Sequence, residues 1–281
     1  MRRLPLVSAI ATILLSGCFS QNAISGLSAQ QVIEKSVRAN AQTQNVHISM
    51  NAEYDVAGSI KEKGELLLSG NAVAGFQSFS GSGNITRHIQ TQTTARSLFA
   101  AFDIASASST EWYARVRTLD FEPKNSAVSS DGIVQTWWKM ADTDEAKQIL
   151  ALQTPDPSAI NAILASVIVD RDDGLVTDNR RKMYHYHVHI DAGAPGANSM
   201  GLASLPSGEL WIDAQTYLLQ RAIWNIRNIP GTNGSTDANM DIRLSRHNEQ
   251  LPVSVPLTYE YATADVWRMF HTILPSALLP E

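Results

Sequence analysis

The chain of 281 residues contains a single cysteine, Cys18, so no internal disulfide can form. Long apolar runs are also missing. The run that stands out, Leu4–Leu15, has 12 residues, whereas a membrane-spanning helix needs about 20, so a permanent anchor helix is not expected. An excess of positive charge is absent as well. The formal net charge is −5, which argues against a nucleic-acid partner and against a polybasic membrane-binding surface. Catalytic signatures are lacking: there is no Gly-x-Ser-x-Gly, no His-Glu-x-x-His and no phosphate loop. No cofactor is expected and no enzyme is expected. Glu111 and Asp213 are scattered carboxylates of the kind a hydrolytic pair would use, which leaves a hydrolase as the third of three functional readings.

What is present begins at the N-terminus. Met1-Arg2-Arg3, the apolar run and Ser16-Gly17-Cys18 are the three parts of an export signal. Leu15-Ser16-Gly17-Cys18 resembles the lipobox of bacterial lipoprotein precursors. That resemblance implies thioether attachment of a diacylglyceryl group to Cys18, cleavage of residues 1–17 and acylation of the new amino terminus. Each buried methylene contributes roughly 0.8 kcal/mol, and stable anchoring needs more than one chain; a triacylated cysteine exceeds that. The odd thiol of an exported chain thus has a use. The expected mature chain has 264 residues and, without Arg2 and Arg3, a charge of −7. Residues 18–27 form a short uncharged tether, and residues 28–281 are expected to form a single domain with a C-terminal extension from about residue 256. The location implied is extracytoplasmic, lipid-anchored to the cell membrane or outer membrane.

Beyond the tether, Ser28 and Gln31 have capping-box spacing. Val32, Ile33, Val37 and Ala41 mark one face of a helix to about Gln42. Then Val46, Ile48, Met50, Ala52, Tyr54 and Val56 alternate with polar residues over 11 positions. Such a strand is about 36 Å long at about 3.3 Å per residue and implies an antiparallel sheet with one buried and one wet face. Further strands are expected at Ile60–Ser69, Phe76–Gln90, Arg96–Ile104, Glu111–Phe121, Ile133–Met140, Lys182–Ile190, Gly208–Asp213, Tyr217–Ile229 and Asp237–His247. Two helices are expected between strands, one capped near Asp142 and one opening at Asp156-Pro157 and holding Ile160, Ile163, Leu164 and Val167. Loops rich in Gly, Pro, Asn and Ser are expected at 191–207 and 230–236. Pro252 and Pro256 break strand geometry, and Thr263 opens a last helix, to Leu274, with Val266, Trp267, Phe270 and Ile273 on one side.

Two patterns invite a metal. His185, His187 and His189 share one strand face about 6.6 Å apart, so the outer two are about 13 Å apart, too wide for one tetrahedral site. At most two could share an ion, with help from another strand, and the expectation is a solvated face. Asp170-Arg171-Asp172-Asp173-Gly174 hints at a calcium loop but lacks its spacing. It reads as a polar turn, and no metal is assigned.

Met50, Tyr54, Trp112, Trp138, Trp211, Trp224 and Met240 fall on or near the alternating faces. Large aromatics and flexible methionines suit an adaptable hydrophobic cavity. The hairpin Gly208-Glu-Leu-Trp-Ile-Asp-Ala-Gln-Thr-Tyr-Leu-Leu-Gln-Arg221, the order of first helix and long strand, and the helical insertion resemble the LolA/LolB-like superfamily, which includes the LppX/LprG lipoproteins and RseB-type sensors. The resemblance covers about residues 28–250. It implies an α+β, β-rich fold, a strongly curved antiparallel sheet forming an unclosed barrel, with helices over its concave face and a cavity for acyl chains between them. It also implies a carrier of lipid or lipopeptide or, alternatively, an envelope sensor that binds a protein partner. The extension from Pro256 departs from that pattern; its helix would plug the cavity mouth or dock on a partner through Trp267 and Phe270.

Overall fold

The computed structural model describes residues 26–73, 77–108, 111–123, 132–140, 163–178, 180–191, 206–231 and 234–273. Cys18, most of the tether, the signal segment and the helices expected near Asp142 and Asp156 lie outside the described residues, apart from a helical turn at 163–165.

Helix α1 (Ala29–Ala41) has the expected capping box, with the Ser28 hydroxyl accepting from the Gln31 amide and the Gln31 side chain accepting from the Ser28 amide. Its buried face differs from expectation in part: Val32 and Ile33 are buried, but so are Ser36 and Asn40, while Ala41 is exposed. Asn40 resolves its own burial by donating to the Ser36 carbonyl at 2.8 Å and to its hydroxyl at 3.1 Å.

The strands are β1 (Val46–Gly58), β2 (Lys61–Val73), β3 (Ser78–Gln90), β4 (Ala95–Ser108), β5 (Glu111–Glu122), β6 (Trp138–Met140), β7 (Val167–Asp178), β8 (Arg181–Ile190), β9 (Ser207–Asp213), β10 (Leu219–Gly231), β11 (Gly234–Ser245) and β12 (Glu260–Tyr261). They form one sheet in the order β12-β6-β5-β4-β3-β2-β1-β11-β10-β9-β8-β7. Every pairing is antiparallel except β12 with β6. The first strand in sequence is therefore central, flanked by β2 and β11, and the two edge strands do not pair with each other. The sheet is curved and unclosed, as expected.

Alternation decides the two faces. In β1, Val46, Ile48, Met50, Ala52, Tyr54 and Val56 point inward, and the register carries that parity to Leu66 and Leu68 on β2, Ile85 on β3, and Met240, Ile242 and Leu244 on β11. Helices α1 and α2 (Ala264–Ile273) cover this inner face. Val32 and Ile33 from α1 join Val266, Met269, Phe270 and Ile273 from α2 in one core with the inward strand residues. Burying each such aliphatic side chain contributes about 1.5–3 kcal/mol.

Several boundaries move. Ile133–Thr136 is a turn leading into β6, not strand, and Gln135 has φ 73° there. Val167 opens β7 instead of ending a helix. Asp170–Gly174 lies inside β7, so it is a bulged strand and not a polar turn, with irregularities between Val169 and Arg171 and between Asp172 and Gly174. Strands β10 and β11 extend into the stretch read as a loop. The tail does more than expected: β12 docks parallel on β6, with the Glu260 amide donating to the Trp137 carbonyl at 2.9 Å.

Candidate functional site

Six of the seven residues expected around a cavity share the inner face: Met50, Tyr54, Trp112, Trp138, Trp224 and Met240. Trp211 does not. It pairs with Arg221 on the outward parity, stacks on His185 with ring centroids 4.5 Å apart and carries the Arg221 guanidinium over its face. Its aromatic surface is used by charged neighbours on the wet side of the sheet.

The inner face is not uniformly packed. Trp112, Trp138 and Trp224 are buried, as are Ile48, Leu68 and Leu244 towards one end of the central strands. Between that end and Val56, a stripe of apolar side chains across β11, β1 and β2 is only half-buried: Met50, Ala52, Leu66, Met240 and Ile242. Two of these are methionines, whose flexible thioethers fill irregular space. These side chains stay partly exposed while Met50, Leu66, Met240 and Ile242 pack against the core.

One end of that stripe is polar and tightly built. Tyr54 lies over Gly64, where an added Cβ would sit 2.4 Å from the phenol oxygen; only glycine there lets the ring cross to β2. Its hydroxyl donates to Glu62 Oε1 at 2.7 Å. Glu62 accepts from Arg87 Nε at 2.8 Å and Nη2 at 2.9 Å, a bidentate pair with side chains 2% and 6% exposed. Arg87 Nη1 also donates to the Thr272 carbonyl at 2.5 Å, which ties the last turn of α2 to the sheet. Burial first, and then the Glu62 carboxylate, pushes the Tyr54 phenol far above its ordinary value, so it remains a donor.

Helix α2 is part of the core. Thr263 caps it, its hydroxyl accepting from the Val266 amide at 3.4 Å. Phe270 is 8% exposed and Trp267 packs partly against the core, which corrects the expectation that they form an outward patch. Exposed apolar residues gather just before the helix, at Val255, Leu257, Tyr259 and Tyr261, with Leu257 at 98%; Leu67, Phe99 and Ile168 are exposed on strands.

Glu111 and Asp213 are not brought together. Six strands separate β5 from β9 in the sheet order. Glu111 accepts from Lys139 and Tyr113, and chiefly the Lys139 ammonium holds its carboxyl below the usual range. Asp213 Oδ1 accepts from the Gln215 and Thr216 amides and so serves the β9–β10 turn.

The histidine row behaves as its spacing required. His189 turns away to Asp170 Oδ1 at 2.7 Å. His185 and His187 converge on Asp173, with His185 Nδ1 and His187 Nε2 each 3.0 Å from Asp173 Oδ2. Glu209 on β9 lies 2.9 Å from His185 Nε2 and 3.9 Å from His187 Nδ1. Arg171 Nε donates to Asp173 Oδ1 at 2.8 Å, its Nη2 touches His187 Nε2, and this guanidinium is the main cause that lowers the Asp173 carboxyl below its ordinary value. The sequence could not name Asp173 and Glu209 as partners, because only the bulges of β7 and the β8–β9 register align them.

A groove of about 450 Å³ crosses the central strands and is lined mainly by outward polar residues such as Ser49, Asn51, Ser69 and Asn84, with Met50 and Leu68 also at its wall. Among the described residues no helix is long and apolar enough to cross a membrane.

No protein-family model matches the chain, and no curated protein matches it. Among solved structures it is similar to the lipoprotein LppX of Mycobacterium tuberculosis, at 11% identity and TM-score 0.44 over 81% of this chain and 100% of that one. It is similar also to a LolA-superfamily protein of Nitrosomonas europaea, at 8% identity and TM-score 0.23 over 80% and 96%. At such identities and scores these likenesses say nothing of ligand or partner.

Proposed function

We propose that the protein is an envelope lipoprotein, held at a membrane by acyl chains on Cys18, that binds the acyl chains of a lipid or lipopeptide against the inner face of its sheet. The observation that carries the reading is the half-buried apolar stripe of Met50, Ala52, Leu66, Met240 and Ile242 inside the concavity. Exposed apolar surface at a protected concave site gains about 25 cal/mol for each Å² covered. An acyl chain is the guest that matches it: long, narrow and without hydrogen-bond demands. The Tyr54–Glu62–Arg87 network bounds one end of the stripe, and its groups are already bonded to one another and to α2, so it supports the wall without needing the ligand. The Cys18 anchor accounts for access to lipid: a mature domain of charge −7 gains no electrostatic attraction to an anionic bilayer.

Native mass spectrometry of protein gently extracted from membranes tests this. The expected result is a bound species with the mass of a lipid or lipopeptide, weakened when Met240→Lys places a charge in the stripe. Protein that emerges with no bound lipid and takes none up from micelles contradicts the proposal.

A second reading has its own observation. Val255, Leu257, Tyr259 and Tyr261 form an exposed apolar stretch on the segment that docks at the β6 edge. An envelope sensor would present such a surface to a protein partner. Crosslinking from position 257 distinguishes the readings: a specific protein adduct together with an empty inner face favours the sensor.

A further inference from the structure

We propose that Asp173, His185 and His187 form a zinc site on the outer face of the sheet, with Glu209 as the carboxylate that orients the His185 imidazole. The three ligand atoms, one from each residue, lie within 4.8 Å of one another. A tetrahedral zinc with bonds of about 2.0–2.2 Å separates its ligand atoms by about 3.3 Å. His185 Nδ1 and His187 Nε2 are each 3.0 Å from Asp173 Oδ2 and within 4.8 Å of each other, so the carboxylate is already placed and the two rings close on the ion by side-chain rotation. Two imidazoles and a carboxylate, without a thiolate, are a donor set for zinc and not for calcium or magnesium, which prefer oxygen alone.

The backbone builds this arrangement deliberately. His185 and His187 are successive outward residues of β8, with ring centroids 5.0 Å apart. The partner strand is bulged between Asp172 and Gly174. Gly174 has φ +75° and its amide donates to Asp172 Oδ1 at 2.7 Å. A bulge re-aims the extra residue, and here that residue, Asp173, comes over the gap between the two rings.

Arg171 Nη2 and Asp173 Oδ2 both approach His187 Nε2, whose role as donor or acceptor depends on its tautomer. Arg171 places its charge beside the cluster from a side chain 62% exposed, which is free to swing aside when a divalent ion takes its place. Glu209 completes the pattern: a proton on His185 Nε2 donated to Glu209 at 2.9 Å leaves Nδ1 as a lone pair aimed at the site. A carboxylate behind a ligating imidazole is the usual support for such a ligand.

Isothermal titration of metal-stripped, detergent-solubilised full chain with zinc chloride tests the site. The expected result is one zinc per chain. Asp173→Asn and His187→Gln should each abolish that stoichiometric binding, and Glu209→Gln should weaken it by about 10–100-fold. Arg171→Ala should tighten it, because the resident charge is removed. His189→Gln, bonded to Asp170, should bind as the wild type does. Circular dichroism of each metal-free variant confirms that the fold is intact. The absence of saturable binding by the wild type overturns the site, and so does retention of wild-type affinity by Asp173→Asn or His187→Gln.

Discussion

Replacing Arg87 by methionine removes the cation from a bidentate pair in which the Glu62 side chain is 2% exposed. Burial leaves that carboxylate without water to replace the lost partner, and a neutral Tyr54 hydroxyl cannot balance a full charge. Breaking such a pair from one side costs about 3–5 kcal/mol. The same change releases the Thr272 carbonyl at the end of α2, which adds about 1.5–3 kcal/mol for a charge-assisted hydrogen bond. Urea unfolding followed by tryptophan fluorescence reads the result. With a slope of about 1–3 kcal/mol/M, the midpoint should fall by about 1 M or more. The double replacement Glu62→Leu with Arg87→Met removes both charges and should recover most of the loss. Its remaining deficit is the Tyr54 hydroxyl, which Tyr54→Phe should relieve. The reasoning is refuted if Arg87→Met shifts the midpoint by less than about 0.3 M, or if the two single losses simply add in the double variant.

Other outcomes follow from particular contacts. Gly208→Ala places a Cβ 2.1 Å from the Ile223 carbonyl oxygen, a backbone clash that no rotamer relieves, so stability should drop by about 1–3 kcal/mol or more in the same urea assay. His247 is held below its ordinary value, chiefly by burial. A base whose folded value is depressed contributes stability that is complete above its unfolded value of about 6.5 and is lost as pH falls below it. Thermal stability of the wild type should therefore weaken as pH falls below about 6.5, and His247→Gln should flatten that slope; identical slopes contradict the assignment. Cys18→Ala should abolish incorporation of labelled palmitate and release the protein from the membrane fraction, whereas retention of both would remove the anchor.

Much of the frame was legible because periodicity and capping are local. The unbroken alternation of Val46–Val56 fixed both the strand and the parity of its buried face. Ser28 with Gln31, and Thr263 before an apolar face, marked two helix starts. Local signals failed where pairing partners decide the outcome. Asp170–Gly174 looked like a turn because β7 is an edge strand, wet on much of its surface and twice bulged, so it has no apolar alternation. Ile133–Thr136 looked like strand because it is apolar, yet Gln135 has positive φ. The triple Leu66-Leu67-Leu68 hid the parity of β2, and with it the inward aim of Glu62. Trp211 was misplaced for a related reason: its strand puts Leu210 and Ile212 inward and leaves the larger ring outside. Half of the histidine cluster was visible as a row on β8, while Asp173 and Glu209 came from strands whose register the sequence does not announce.

The claim that acyl chains lie along the inner face is tested most directly by tryptophan quenching with a brominated fatty acid. Trp112, Trp138 and Trp224 are inward, whereas Trp211 lies on the outer face. Quenching should saturate with the acid, should fall when the three inward tryptophans are replaced by phenylalanine, and should be unchanged by Trp211→Phe. Quenching that is undiminished in the triple variant, or that is lost with Trp211, would place the lipid elsewhere and contradict the account.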